Sequence, residues 1–229
     1  MSDARRVLLV GATGLVGSRV MEQCVGRSDV CLIALTRREA PMPRGARMEM
    51  LVADPAEWAK SVAAVAPDAV ICALGTTWRK AGEDEEAFRV VDEELVLRVA
   101  RAAKAAEVSN FVFVSSVGAD TASRAFYLRV KGEVEGALRK LRFHRLDILR
   151  PGLLRGPRAG DRRPAERLAI VFSPLMNLFL HGAHQRLRAI DARLVARAAL
   201  EGAKEKARGI FVHDNDGIRR LERRLDGFG

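Results

Sequence analysis

Cysteine, tyrosine and tryptophan are nearly missing from this chain: three, one and two residues respectively among 229. Cys24, Cys31 and Cys72 are odd in number and form no CxxC pair, which argues against a disulfide framework and against a cysteine zinc site. Reduced thiols in a cytoplasmic protein are the expectation. Long apolar runs are lacking too. The most apolar late stretch, Ala169 to Leu180, is broken by Pro174 and Asn177 and is too short to span a bilayer. The opening MSDARRVLLVGATG passes straight into a strand pattern without the core of a signal peptide. His144, His181, His184 and His213 have no carboxylate or cysteine spacing around them, so no metal site is expected.

Negative charge is in deficit: 39 Lys and Arg face 29 Asp and Glu, a formal net charge of +10. The basic residues are spread along the chain, with no basic run studded by aromatics of the kind nucleic-acid modules carry. Arg outnumbers Lys, Ala is abundant and Asn scarce. The charge therefore reads as the mark of a GC-rich bacterial genome, and no nucleic-acid partner is expected.

What is present is an alternation. Short apolar runs (Val7–Val10, Val30–Leu35, Met48–Val52, Ala69–Leu74, Phe111–Ser115, a strand starting at Asp147, and Ile210–His213) read as buried strands. Between them lie helical patterns at 15–25, 57–65, 85–106, 127–141 and 190–203. Continuous apolar strands separated by helices imply a parallel sheet covered on both faces. The fold class is therefore α/β, a Rossmann-type doubly wound parallel sheet in a single domain over residues 1–229. The irregular stretch 155–185 is expected to cap a cofactor cleft.

The first strand runs into GATGLVG. Gly11 suits the tight turn, Gly14 a close approach of backbone to a pyrophosphate, and Gly17 the packing of helix on sheet. Thr13, Leu15 and Val16 then lie where the helix turns its first amides toward the phosphates. The second strand ends in LTRRE. Thr36 stands where an NAD-binding chain places an acid, and Arg37 and Arg38 follow. Guanidinium groups can grip a 2′-phosphate that a carboxylate would repel, so NADP(H) is the expected cofactor. The alternative is that these arginines are solvated loop residues, with Glu39 a competitor for them. Asp54 reads equally as an adenine contact or as the N-cap of the turn that starts at Pro55. Leu74, Gly75 and Thr76, at the end of the fourth strand, are placed to line the cofactor, with Thr77 beside them.

Tyr127 and Lys131 lie four residues apart, on one face of a helix. An ammonium beside the phenol is expected to lower its pKa, so that Tyr127 can give a proton to a carbonyl oxygen as hydride arrives. Ser116, and after it Ser115, is the candidate to polarise that carbonyl, the other serine turning to backbone groups. Both sit at the carboxyl edge of the sheet, where open α/β folds bind ligands.

These segments resemble a known family. GATGLVG, LTRRE, LGTTWRKAG (74–82), FRVVD (88–92), FVFVSSVGAD (111–120), FYLRVKGEVEGAL (126–138) and RPGLLRGPR (150–158) look like the short-chain dehydrogenase/reductases. More narrowly, they resemble the atypical branch that holds the HIV Tat-interacting protein and its bacterial relatives. The resemblance covers about two-thirds of the chain. It implies an NADP(H)-binding Rossmann domain with a Ser–Tyr–Lys site. It also implies that Pro151, Gly152 and Leu153 meet the nicotinamide carboxamide, Leu153 through its backbone amide. The function expected is NADPH-dependent reduction of a small carbonyl compound. The competing reading is a cofactor-gated regulatory or binding protein, and an epimerase or dehydratase comes last. A monomer or homodimer is expected. Ala169–Leu180 reads as a core or interface helix rather than a substrate pocket, and Trp78 and Phe88 read as packing.

Overall fold

The computed structural model describes residues 4–76, 81–156 and 189–226. Seven parallel strands form one sheet in the order β3-β2-β1-β4-β5-β6-β9. They are β1 (Arg5–Val10), β2 (Val30–Thr36), β3 (Glu49–Val52), β4 (Ala69–Cys72), β5 (Asn110–Val114), β6 (Arg145–Leu149) and β9 (Gly209–His213). A second, two-stranded parallel sheet pairs β7 (Leu154–Arg155) with β8 (Ile190–Asp191). The expected sheet is therefore present, and each of its strands was foreseen to within a few residues.

The helices lie on both faces. α1 (Leu15–Gln23), α6 (Ala192–Lys204) and α7 (Asn215–Glu222) cover one. α2 (Trp58–Val65), α4 (Leu95–Ala105) and α5 (Phe126–Lys140) cover the other. Fully buried strand residues such as Val7, Leu9 and Ile71 pack toward the first layer, and Leu8, Val70 and Phe113 toward the second. Alternate side chains of one strand thus feed two cores, which is why the strands are apolar without a break.

Three elements differ from expectation. The helix foreseen over 85–106 is α3 (Glu85–Arg89), a π-helical turn (Val90–Glu94) and then α4. The helix foreseen from Ile190 starts at Ala192, because Ile190 and Asp191 form β8 and Asp191 accepts from the Arg193 amide as its N-cap. α7 was not foreseen; its short amphipathic pattern is hidden among arginines. The expected cap lies outside the described residues from 157 onward, as do Thr77, Trp78, Ala169–Leu180, His181 and His184.

The chain winds from β1 outward to β3 and then returns to place β4 on the other side of β1. Strand order reverses between β1 and β4, so a crevice opens at their carboxyl ends. The glycine turn leaves β1 at that point and the Leu74–Thr76 loop leaves β4 beside it.

Candidate cofactor and active site

The glycine turn is built without room for side chains. Gly11 has φ +92°, and a Cβ there would stand 2.5 Å from the Ala73 carbonyl carbon. On Gly17 it would stand 2.1 Å from the Gly11 carbonyl oxygen. The two glycines thus let the turn, the following helix and the β4 exit meet at backbone distance. Gly14 is the N-cap of α1 and donates its amide to the Gly11 carbonyl at 3.0 Å. No side chain caps α1 and no acidic residue lies in its first turn. Thr13 is exposed, while Leu15 and Val16 are buried in the core. Any contact these two make to a phosphate is therefore through backbone amides.

At the end of β2, Arg37 and Arg38 are exposed and form no ion pair with any described residue, Glu39 included. Thr36 is buried, and its hydroxyl lacks a hydrogen-bond partner among the described residues. A buried hydroxyl left unpaired costs about 1–3 kcal/mol. Asp54 takes the capping role, accepting from the Ala56 amide at 2.8 Å.

Lys131 and Tyr127 occupy the first two turns of α5, and Ser116 follows β5. The Ser116 hydroxyl donates to the Val117 carbonyl at 3.3 Å, and Ser116 lies close enough to Tyr127 to act on the phenol's acidity. Ser115 points elsewhere. Its hydroxyl donates to buried Glu135 at 2.6 Å, and the same carboxylate accepts from Arg150 Nε at 2.9 Å and Nη2 at 2.6 Å. Ser115 thus turns to a carboxylate network, because buried Glu135 offers a stronger, charged acceptor, and Ser116, not Ser115, is the serine whose hydroxyl bonds a backbone group.

Asp92 is the residue that sequence reasoning missed. Lys131 Nζ lies 2.9 Å from its Oδ1, with both side chains shielded from solvent. Its Oδ2 accepts from the Thr76 amide at 2.7 Å, which ties the β4 exit loop to α5. The Lys131 ammonium also lies 5.0 Å from the Phe113 ring centre. Asp92 sits in the π turn, a feature that frequently marks a functional position in a helix. A sequence signal existed: in FRVVDEELVLRVARAA the apolar stripe Phe88, Val96, Val99, Ala103 has Asp92 in line with it. A carboxylate on a buried stripe requires a partner.

This pair corrects the expectation for the phenol. Burial is the largest influence on Tyr127 and pushes its pKa above the ordinary value. Lys131 pulls it down, Asp92 pushes it back up, and the Ser116 contact pulls it down again. The net direction is upward, because burial outweighs the Lys131 charge, which Asp92 also opposes. For Lys131 itself burial is the largest influence and disfavours the ammonium, but the Asp92 carboxylate, Tyr127 and Cys72 together hold the pKa above the usual lysine range. Phe88 packs edge-on against Tyr127 with ring centres 5.6 Å apart.

At the far side of the crevice, Pro151 is buried and its carbonyl accepts from the Val117 amide at 3.0 Å. The Gly152 amide is already engaged by Asn215 Oδ1 at 2.9 Å, and the Leu153 carbonyl accepts from Ile190 at 2.9 Å. The described residues hold no group of metal-ligating side chains and no helix long and apolar enough to cross a membrane.

A seven-stranded parallel sheet with a glycine turn at its topological switch point defines an NAD(P)-binding Rossmann protein. The chain belongs to the NAD(P)H-binding family, whose model matches residues 11–168. With its relatives it stands among the atypical short-chain dehydrogenase/reductases. It is 35% identical over 210 residues to the mitochondrial protein fmp52 of Aspergillus niger, covering 89% of this chain and 88% of that protein. It is 35% identical over 172 residues to the HTATIP2 protein of Rattus norvegicus, covering 73% and 70%. A UDP-glucose 4-epimerase from Brucella ovis, solved with NAD, shares the fold at a TM-score of 0.70 and 17% identity, over 91% of this chain and 76% of that one.

These relatives overturn one expectation. A cytoplasmic location does not stand, because the fmp52 proteins, including those of Aspergillus niger, Emericella nidulans and Chaetomium globosum, are named as mitochondrial. Nor do these fungal and mammalian relatives support a bacterial source read from the arginine bias.

Proposed function

We propose that this chain is an NADPH-dependent reductase of a small carbonyl compound. The observation that carries the reading is Tyr127 beside Lys131, with Asp92 behind them and Ser116 nearby, at the carboxyl edge of the sheet next to the glycine turn. The cofactor, when bound, supplies a hydride to the carbonyl carbon. Gly11, Gly14 and Gly17 leave space for its pyrophosphate, and the uncapped amides of α1 meet the negative charge. Arg37 and Arg38 pair with the 2′-phosphate. Gly75 lets the β4 loop lie flat against the dinucleotide. Pro151, Gly152 and Leu153 border the nicotinamide end.

The chain's own groups then manage the proton. Ser116 donates to the carbonyl oxygen and fixes its position. Tyr127 keeps its proton at neutral pH, as its raised pKa requires, and releases it to the oxygen as negative charge develops there. Lys131, held as an ammonium by Asp92, stabilises the phenolate left behind and offers hydrogen bonds to ribose hydroxyls. The electrostatic task of the pair is thus to support the product state of Tyr127 rather than to ionise it beforehand.

The test is a panel of aldehydes, ketones and quinones, with NADPH consumption followed for the wild type and for Tyr127→Phe. Loss of about 10²-fold or more in turnover, with cofactor affinity near that of wild type, supports the assignment. Undiminished turnover by Tyr127→Phe removes Tyr127 from the mechanism. Silence of the wild type across the panel, with tight NADPH binding, favours the cofactor-gated regulatory reading instead.

A further inference from the structure

β9 ends the seven-stranded sheet, and no described strand lies outside it. The Gly209 amide donates to the His144 carbonyl and the Arg150 amide donates to the His213 carbonyl, so both residues turn their backbone groups toward β6. Strand residues alternate, so Phe211 does the same, while Ile210 and Val212 turn their amides and carbonyls outward. Their side chains stand on the face opposite Phe211 and His213. They are 49% and 46% exposed, two of the five large apolar residues that are exposed in the described structure. Phe211 is held inward under the Arg145 guanidinium, 4.1 Å from its ring centre.

An open edge with outward apolar residues is a template for another strand. The sequence around it is self-complementary about Phe211. Reading R-G-I-F-V-H-D from 208 to 214 against its own reverse places Arg208 opposite Asp214 and Ile210 opposite Val212. Arg208 is exposed and has no ion-pair partner among the described residues. Asp214 uses one carboxylate oxygen to cap α7 at the Gly217 amide, 2.9 Å away, and forms no ion pair with any described residue.

We propose that two copies of this chain associate through β9, antiparallel and about a two-fold axis that passes through Phe211, joining their sheets into one. The outward amides and carbonyls of Ile210 and Val212 then pair with those of the partner's Val212 and Ile210, in four hydrogen bonds. The four apolar side chains form one patch on a single face, and each Arg208 meets the partner's Asp214. Charge complementarity fixes the antiparallel sense, since a parallel pairing would set Arg208 beside another Arg208. The contact is isologous, as a closed dimer requires. A single strand pair buries less than the roughly 1,200 Å² of a standard interface, so the dimer dissociates on dilution.

Sedimentation of the whole chain from about 5 to about 300 μM, a span suited to an interface below standard size, reads this directly. The wild type is expected to shift from monomer mass toward twice that mass. Val212→Pro removes an outward amide that no bond to β6 uses, and so leaves the internal ladder intact. Arg208→Glu sets like charges against the partner's Asp214 and lies on the surface, so it also covers the case in which the proline variant fails to fold. Both variants, shown folded by circular dichroism, are expected to stay monomeric over the same range. A wild type that is monomeric throughout overturns the proposal. So do folded variants that dimerise as the wild type does, because the contact then lies elsewhere.

Discussion

Lys131 Nζ and Asp92 Oδ1 lie 2.9 Å apart, almost fully out of water, with the second Asp92 oxygen accepting from the Thr76 amide. One carboxylate thereby joins three pieces of the crevice: the π turn, the β4 exit loop and the helix that carries Tyr127. Burying two charges is costly, and their attraction offsets that cost only while both are present. The same pair acts on the phenol with opposite signs, Lys131 lowering and Asp92 raising its pKa, and leaves burial as the largest influence.

Asp92→Ala is expected to strand the Lys131 ammonium in the core and to leave the Thr76 amide without its acceptor. Removing one partner of a buried pair costs about 3–5 kcal/mol, so the urea midpoint falls sharply. Asn at this position can still accept from Thr76 and is expected to lose less. Equal urea midpoints for Asp92→Ala and wild type would show that the pair contributes nothing.

The pH profile follows from the direction of the Tyr127 shift. The proposed reduction would use the protonated phenol, whose pKa lies above the ordinary value of about 10. The turnover number with NADPH is therefore expected to stay level through neutral pH and to decline only on the alkaline side of that value. A decline centred near pH 7 that disappears in Tyr127→Phe would mean that Lys131 dominates Asp92 after all.

The two adjacent serines separate by their partners. Ser116→Ala removes the hydroxyl beside Tyr127 and is expected to cost about 10²–10³ in turnover, the range for one donor to a developing oxyanion. Ser115→Ala removes a hydrogen bond to Glu135 and is expected to lower stability by about 1–3 kcal/mol, with turnover of the folded protein little changed. The reverse pattern in steady-state kinetics would exchange the roles.

Arg37 and Arg38 are exposed and unpaired among the described residues, so nothing in the fold requires them there. The wild type is expected to bind NADPH at least about tenfold more tightly than NADH, a difference of about 1.4 kcal/mol. Arg37→Ala with Arg38→Ala is expected to erase that preference while leaving NADH affinity unchanged. Fluorescence titration of both cofactors checks it; equal dissociation constants for the wild type would refute the 2′-phosphate assignment.

Much of this was legible in the chain. Strand positions were readable because a parallel strand buried on both faces must be apolar at every position, and GATGLVG was readable because steric crowding at Gly11 and Gly17 tolerates no side chain. Tyr127 and Lys131 were readable because helical spacing alone places them together. The boundaries near Ile190 and the π turn at Val90 were not, since local pattern does not record the pairing of β7 with β8 or the extra residue in a helical turn.

The amino-acid order by itself thus determined the alternating elements, the glycine turn and the shared helical face, all of which depend on neighbours within a few residues. Only the tertiary structure decided which serine joins the Glu135 carboxylate, which carboxylate answers the lysine and in which direction the phenol's acidity moves. Those depend on side chains after β5, in the π turn and on α5 being brought together by the fold, where a charge 39 residues away in sequence acts at 2.9 Å.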